Sequence, residues 1–296
     1  MRPETRAQLR AAGLDPADIE RLARDALAED LQGGEDLTSV ATIPAGSVTT
    51  ADFVVRRDGV IAGVPVLAAT LELGLGGDVS YELAAADGQR VQRGDIVATI
   101  TAPTVGLLTI ERTALNILCR LSGVASLTRR WVDSIAGTDA RLRDTRKTTP
   151  GMRNLEKYAV RCGGGVNHRV GLFDAVLIKD NHVVAAGGVA AALDAVHRHL
   201  AGRKVVVQCE IDRLAQLDEA LAHGATEILL DNMSIDDMAA AVRHVRASFP
   251  SVKLEASGGL SIENAMAVAG TGVDFLAVGA LTHSAPILDI ALDARA

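Results

Sequence analysis

Between Pro16 and Leu31 the chain reads PADIERLARDALAEDL, with apolar residues at helical spacing and Asp15 placed as an N-cap before a proline at the first helical position. The Gly33-Gly34 pair is expected to end that helix. Val48 to Val55, Val79 to Leu83 and Asp95 to Ile100 read as strands, rich in Val, Thr and Ile and parted by Gly/Asp turns, with a short helix from Gly63 to Gly74 among them. Pro103 breaks the strand pattern. Val105 to Ile135 then reads as one or two helices, interrupted near Ser122-Gly123.

From about Arg141 the texture becomes a regular alternation. Strand-length apolar runs fall at Ala140 to Asp144, Ala175 to Lys179, Lys204 to Glu210, Glu227 to Asp231, Val252 to Ser257 and Asp274 to Gly279, with amphipathic helical stretches between. Parallel strands joined by right-handed crossovers produce this pattern. The six runs end in Asp144-Thr145-Arg146-Lys147, Lys179-Asp180-Asn181-His182, Glu210, Asp231-Asn232, Ser257-Gly258-Gly259 and Gly279-Ala280. An open doubly wound sheet gathers its functional groups at one switch point, whereas a closed barrel decorates the C-terminal end of every strand. A (β/α) barrel with six clear strands is therefore favoured, and an open sheet is the alternative. The expected division is residues 1–115, joined by 284–296, and 116–283. Asp87 to Ile100, DGQRVQRGDIVATI, looks like half of a lipoyl or biotinyl carrier domain but lacks the lysine those carriers modify, so it reads as scaffold.

Composition narrows the partners. Of 296 residues 48% are hydrophobic but only 2% aromatic, so Ala, Val, Leu and Ile fill the core and base-stacking platforms for single strands are not expected. A formal charge of −7 disfavours nucleic acid or an anionic membrane as partner, and any anionic ligand needs a local basic pocket. Cys119, Cys162 and Cys209 lie far apart with no CxxC pair, and read as reduced core thiols. The polar start MRPETRAQLR and the lack of an apolar run of about 18 residues point to a cytoplasmic protein.

DTRKTTPGMR (Asp144 to Arg153) puts two adjacent cations after a strand, with flanking threonines and a Pro-Gly turn that make an anion cradle out of what would otherwise be a solvated loop. The chain has only five lysines, and Lys147 and Lys179 are two of them. A lysine closing the apolar run AVLIK sits at a barrel rim, where an anion offsets its desolvation. Glu210 and Asp231 end successive strands and face one cavity in a barrel. Together with the cations they suit a polyanion, a divalent metal and a developing positive charge. Small residues at Ser257-Gly258-Gly259 and Gly279-Ala280 let backbone N–H groups approach phosphate.

Seven ordered motifs, GEDLTS (34–39), ERTALNIL (111–118), DTRKTTPGMR, GGGVNHRVGL (163–172), IKDNH (178–182), ILLDNM (228–233) and EASGGL (255–260), span nearly the whole chain. Through them it resembles the quinolinate phosphoribosyltransferases. The resemblance implies an N-terminal α/β sandwich followed by an open or incomplete barrel. It also implies transfer of phosphoribosyl from phosphoribosyl pyrophosphate to quinolinate with decarboxylation, for NAD biosynthesis, assisted by Mg²⁺. A homodimer is implied too, with Arg112 entering the partner's site. Carried over, Thr145, Arg146, Lys147, His168, Arg169 and Lys179 line the pocket for the quinolinate carboxylates and adjoining phosphates. Glu210 and Asp231 hold the ribose and its metal and, with Lys147, form the catalytic set. Ser257, Gly258, Gly259, Val278, Gly279, Ala280 and His283 complete the phosphate-binding rim.

One departure stands out: the family often reads Glu-x-Glu where this chain has Gln208-Cys209-Glu210. Strand alternation puts Gln208 on the same side as Glu210, with an expected effect on metal or phosphate affinity. The competing readings are a relative with another acceptor, a Schiff-base aldolase using Lys179, and a silent nucleotide-binding regulator. The retained IKDNH motif and cation set speak against the first, and the retained acids and lysines against the last.

Overall fold

The computed structural model of the chain describes residues 1–76 and 79–295. Three helices, α1 (Pro3–Ala11), α2 (Pro16–Leu31) and α3 (Leu37–Thr42), lead into β1 (Val48–Val55), β2 (Gly59–Val60), α4 (Val64–Leu75), β3 (Ser80–Leu83), β4 (Arg90–Val91), β5 (Ile96–Pro103) and the long α5 (Thr104–Ser134). There follow β6 (Arg141–Arg143), α6 (Arg153–Cys162), β7 (Val176–Ile178), α7 (Asp180–Ala186), α8 (Val189–Leu200), β8 (Val207–Ile211), α9 (Leu217–Ala222), β9 (Glu227–Asp231), α10 (Ile235–Ser248), β10 (Lys253–Ser257), α11 (Ile262–Ala269), β11 (Phe275–Ala277), α12 (Ala280–His283) and β12 (Ile290–Ala294). The chain forms two compact units: Met1–Arg129 with Asn154–Gly164 and Ser284–Ala296, and Arg130–Arg153 with Gly165–His283.

The first unit is built on an antiparallel sheet of order β12-β1-β5-β3. Alternate residues Ala51, Phe53 and Val55 of β1 are buried with Ile100 of β5, Leu67 and Leu71 of α4, and Leu107, Ile110 and Leu118 of α5. The expected N-cap forms, since Asp15 Oδ1 accepts from Ala17 N at 2.9 Å. The expected break in α5 does not. A Cβ on Gly123 would lie 2.1 Å from Pro286 O, and Ser122 Oγ accepts from Ala62 N at 3.1 Å. Ser122-Gly123 is thus where two backbones approach an unbroken helix.

The helix α5 is continuous, and the first unit runs along it to Arg129, past the expected boundary at 115. Most of α6 also belongs to it, tied down by Arg120 Nη2 on Glu156 Oε1 at 2.6 Å and by a hydrogen bond from Tyr158 to Asp87. The three cysteines are free. Burial, then the charge of Glu210, pushes the Cys209 thiol up to about 11, which makes it a core group rather than a nucleophile. Among the described residues no helix is long and apolar enough to cross a membrane.

The second unit holds six parallel strands in the order β6-β11-β10-β9-β8-β7. From β7 to β11 each strand lies beside its successor, and β11 then pairs with β6, the first of the series. A doubly wound sheet reverses direction at a switch point, whereas this order is a ring. The order is open between β6 and β7, and Val166 bridges the free edge of β6, its N–H donating to Leu142 O at 2.8 Å.

Candidate active site

All the parallel strands run the same way, so their C-terminal ends share one mouth. There a cavity of about 690 Å³ is lined by Thr145, Arg146, Lys147, His168, Arg169, Lys179, Glu210, Asp231, Ser257, Gly258, Gly259, Val278, Gly279, Ala280 and His283. These are the site residues expected from the sequence with one exception. Arg112 is exposed on α5 in the other unit and is not among the lining residues. Leu177, Leu229, Asn232, Glu255, Leu260 and Ala277 also line the cavity.

The loop after β6 is anchored at both ends. Asp144, fully buried, accepts from His168 N at 2.8 Å and from Asn167 Nδ2 at 2.6 Å, which brings the two cationic motifs together. Thr145 Oγ1 accepts from Lys147 N at 3.0 Å, while Thr282 Oγ1 donates to Lys147 O at 2.7 Å. Gly279 leaves space for the lysine: a Cβ there would sit 2.9 Å from Lys147 Cδ and 3.3 Å from the His283 ring. Farther along the loop, Arg153 donates to Thr148 Oγ1 and to Val170 O.

Arg146 and Arg169 are the strongest sign of an anion. The Nε atom of each is buried without a hydrogen-bond partner. Burial, then the like charge of Arg146, lowers the pKa of Arg169. Two guanidiniums held this way are poorly satisfied in the free protein, and an anion between them would supply the missing acceptors.

Two carboxylates, Glu210 and Asp231, line the same cavity. Lys179 Nζ, half-exposed, contacts Glu210 Oε2 at 3.0 Å. Asn232 takes a left-handed backbone (φ 53°) directly after β9 and donates from Nδ2 to Asp231 Oδ2 at 2.8 Å. Gly258 faces that asparagine. A Cβ on it would fall 2.2 Å from Asn232 Oδ1, and its own φ is +83°, so both space and backbone require glycine.

Beneath the cavity lies a polar layer that sequence reading missed. Arg143 Nη1 reaches Glu227 Oε2 at 2.9 Å and Glu255 Oε2 at 2.7 Å, and its guanidinium stacks 3.7 Å from the Phe275 ring centroid. Burial alone would raise the carboxyl of Glu255, but hydrogen bonds from the His168 ring and the Arg143 guanidinium hold it below its ordinary value. Burial would lower Arg143, and the two glutamates outweigh it and raise it. Gln208 belongs to this layer. It is buried, does not line the cavity and touches the lining residue His168, so it lies one layer below the ligand instead of facing it as expected.

An open parallel barrel with paired guanidiniums and two strand-end carboxylates on one cavity defines a class: an enzyme that handles polyanions. The family follows from comparison. Residues 36–122 match the model of the quinolinate phosphoribosyl transferase N-terminal domain, and residues 124–293 that of the C-terminal domain. A Mycobacterium leprae protein named nicotinate-nucleotide pyrophosphorylase (carboxylating) is 53% identical over 273 residues, covering 91% of this chain and 95% of that one. The mitochondrial quinolinate phosphoribosyltransferase (decarboxylating) 2a of Nicotiana tabacum is 36% identical over 292 residues, 93% of this chain and 82% of its own. The solved nicotinate-nucleotide pyrophosphorylase of Francisella tularensis superposes with a TM-score of 0.88 at 36% identity, covering 95% and 98% of the two chains. The chain belongs to the quinolinate phosphoribosyltransferase family.

Proposed function

We propose that this chain is a pentosyltransferase that moves phosphoribosyl from phosphoribosyl pyrophosphate to the ring nitrogen of quinolinate with loss of carbon dioxide, giving nicotinate mononucleotide and pyrophosphate. The observation that carries the reading is the Arg146–Arg169 pair, buried Nε atoms unpartnered, lining one cavity with Glu210 and Asp231. In this reading Arg146, Arg169, Lys147 and Lys179 seat the two acceptor carboxylates and adjoining phosphates. Ser257 to Gly259 and Val278 to Ala280, with His283, offer backbone and ring donors to phosphate.

Departure of pyrophosphate leaves positive charge at the anomeric carbon, and Glu210 and Asp231 are placed to offset it. No general base is needed, because the attacking ring nitrogen carries no proton. Once that nitrogen is quaternary the ring accepts the electrons of the departing carboxylate, and the protein orients and desolvates that group.

Mg²⁺ fits the donors present. Glu210 and Asp231 supply two hard carboxylates from neighbouring strands, and among the described residues no cluster of three or more ligands makes a protein-only cage. That suits an ion sharing its shell with substrate phosphates and water, where it would neutralise the leaving pyrophosphate. The test is incubation with phosphoribosyl pyrophosphate, quinolinate and Mg²⁺. Nicotinate mononucleotide, carbon dioxide and pyrophosphate should appear in equal amounts, and pyrophosphate without carbon dioxide would overturn the reading. The aldolase reading is not supported, since Lys179 is half-exposed and engaged with Glu210 rather than enclosed in an apolar pocket.

In the proposed homodimer Arg112 completes the partner's cavity. Its exposed position off the lining of its own chain's cavity, and exposed Leu172 and Phe173 in the site-bearing unit, support that arrangement. Arg112→Ala and Lys147→Ala should each be nearly inactive. Mixed after subunit exchange, they should recover up to about a quarter of wild-type activity, because a hybrid dimer pairs one intact site with one doubly damaged site, and half of the dimers are hybrids. Absence of any recovery would contradict the shared site.

A further inference from the structure

We propose that Gln208 is a positioning residue that holds His168 neutral, with its single ring proton on Nε2, so that the ring orients the backbone of Arg169 instead of adding a cation to the cavity. The geometry around the ring carries this. On one side His168 Nδ1 accepts from Arg169 N at 2.7 Å. A ring nitrogen that accepts has no proton of its own, so a doubly protonated ring would lose that bond. On the other side His168 Nε2 lies 2.8 Å from Gln208 Oε1, an atom that can only accept. The ring therefore donates there, and the amide fixes both tautomer and orientation.

The charges around the ring agree. Glu255 faces it from β10, its Oε1 lying 3.5 Å from Nε2, and Arg143 from β6 already balances that carboxylate. Asp144, at the end of β6, is engaged by the backbone N of His168. Arg169 and, beyond it, Arg146 lie on the cavity side and disfavour a further cation. Gln208 Nε2 is buried without a hydrogen-bond partner, so the amide reaches the imidazole through its oxygen alone. A carboxylate at 208 would instead set two acids against Nε2, and the ring would take a second proton to balance them.

As a consequence Arg146, Lys147, Arg169 and Lys179 supply the positive charge of the cavity lining. His168 contributes the register of Arg169.

Ring ¹⁵N–¹H correlation spectra of the full, ligand-free protein labelled in histidine test this without reference to the reaction, with His168 assigned by its loss in His168→Gln. The wild type should show a protonated Nε2 and an unprotonated Nδ1 between about pH 6 and 8. Gln208→Glu should turn both nitrogens to the protonated type at neutral pH, and Gln208→Leu should release the ring to exchange tautomers. A wild-type imidazolium near pH 7, a proton on Nδ1, or a ring signal unmoved by either substitution would overturn the proposal. The wild-type spectrum alone decides it should a variant fail to fold.

Discussion

Arg169→Ala is expected to lower kcat/KM for the dicarboxylate acceptor by roughly a hundredfold or more, the size of about 3 kcal/mol for one partner of a desolvated charge pair. Most of the loss should fall in KM, because the guanidinium binds acceptor carboxylates that are present before and during transfer. The same substitution should leave the urea midpoint unchanged or raise it. In the free protein Arg169 carries a buried Nε with no partner and is pushed down by burial and by Arg146, so its removal relieves a conflict. Activity and stability moving in opposite directions is the mark of a residue placed for a ligand. Loss of activity through unfolding would contradict the anion cradle.

Arg143→Leu should destabilise the chain by about 3–5 kcal/mol near neutral pH, because it removes the guanidinium paired with the fully buried Glu255. The pH dependence identifies the cause. In the wild type Glu255 is held below its ordinary value. A lowered folded-state pKa gives stability that is complete above the unfolded value and is lost as pH falls through the folded one. Without Arg143 the carboxyl loses one of the two partners that offset burial, so its folded pKa rises and Glu255 gives less stability as pH rises. The deficit measured by urea unfolding should therefore shrink from about pH 8 toward about pH 5. A deficit independent of pH would point to lost packing against Phe275 instead.

The barrel and its rim were legible because they depend on short-range pattern. Strand-length apolar runs at helix-separated intervals gave parallel strands, and at least one residue ending each run, from Thr145 and Lys147 to Gly279, lies on one cavity. The polar layer below it was not. In a strand such as Lys253-Leu254-Glu255-Ala256-Ser257 the alternating polar residues look like a solvent face, and only the curvature of the sheet turns Glu255 inward against Arg143. Gln208 was misplaced for the same reason: alternation gives the side of the sheet but not the depth within the barrel. In α5, Ser122-Gly123 has the composition of a helix break. Its true role, close approach to Pro286, comes from a segment more than 160 residues away, and no local window contains it.

The most direct measurement offers quinolinate and nicotinate as competing acceptors at equal concentration, with phosphoribosyl pyrophosphate and Mg²⁺, and follows carbon dioxide and the mononucleotide together. The account predicts that nicotinate mononucleotide forms with one carbon dioxide per turnover, all from quinolinate. Mononucleotide formed from nicotinate with no carbon dioxide released would contradict it.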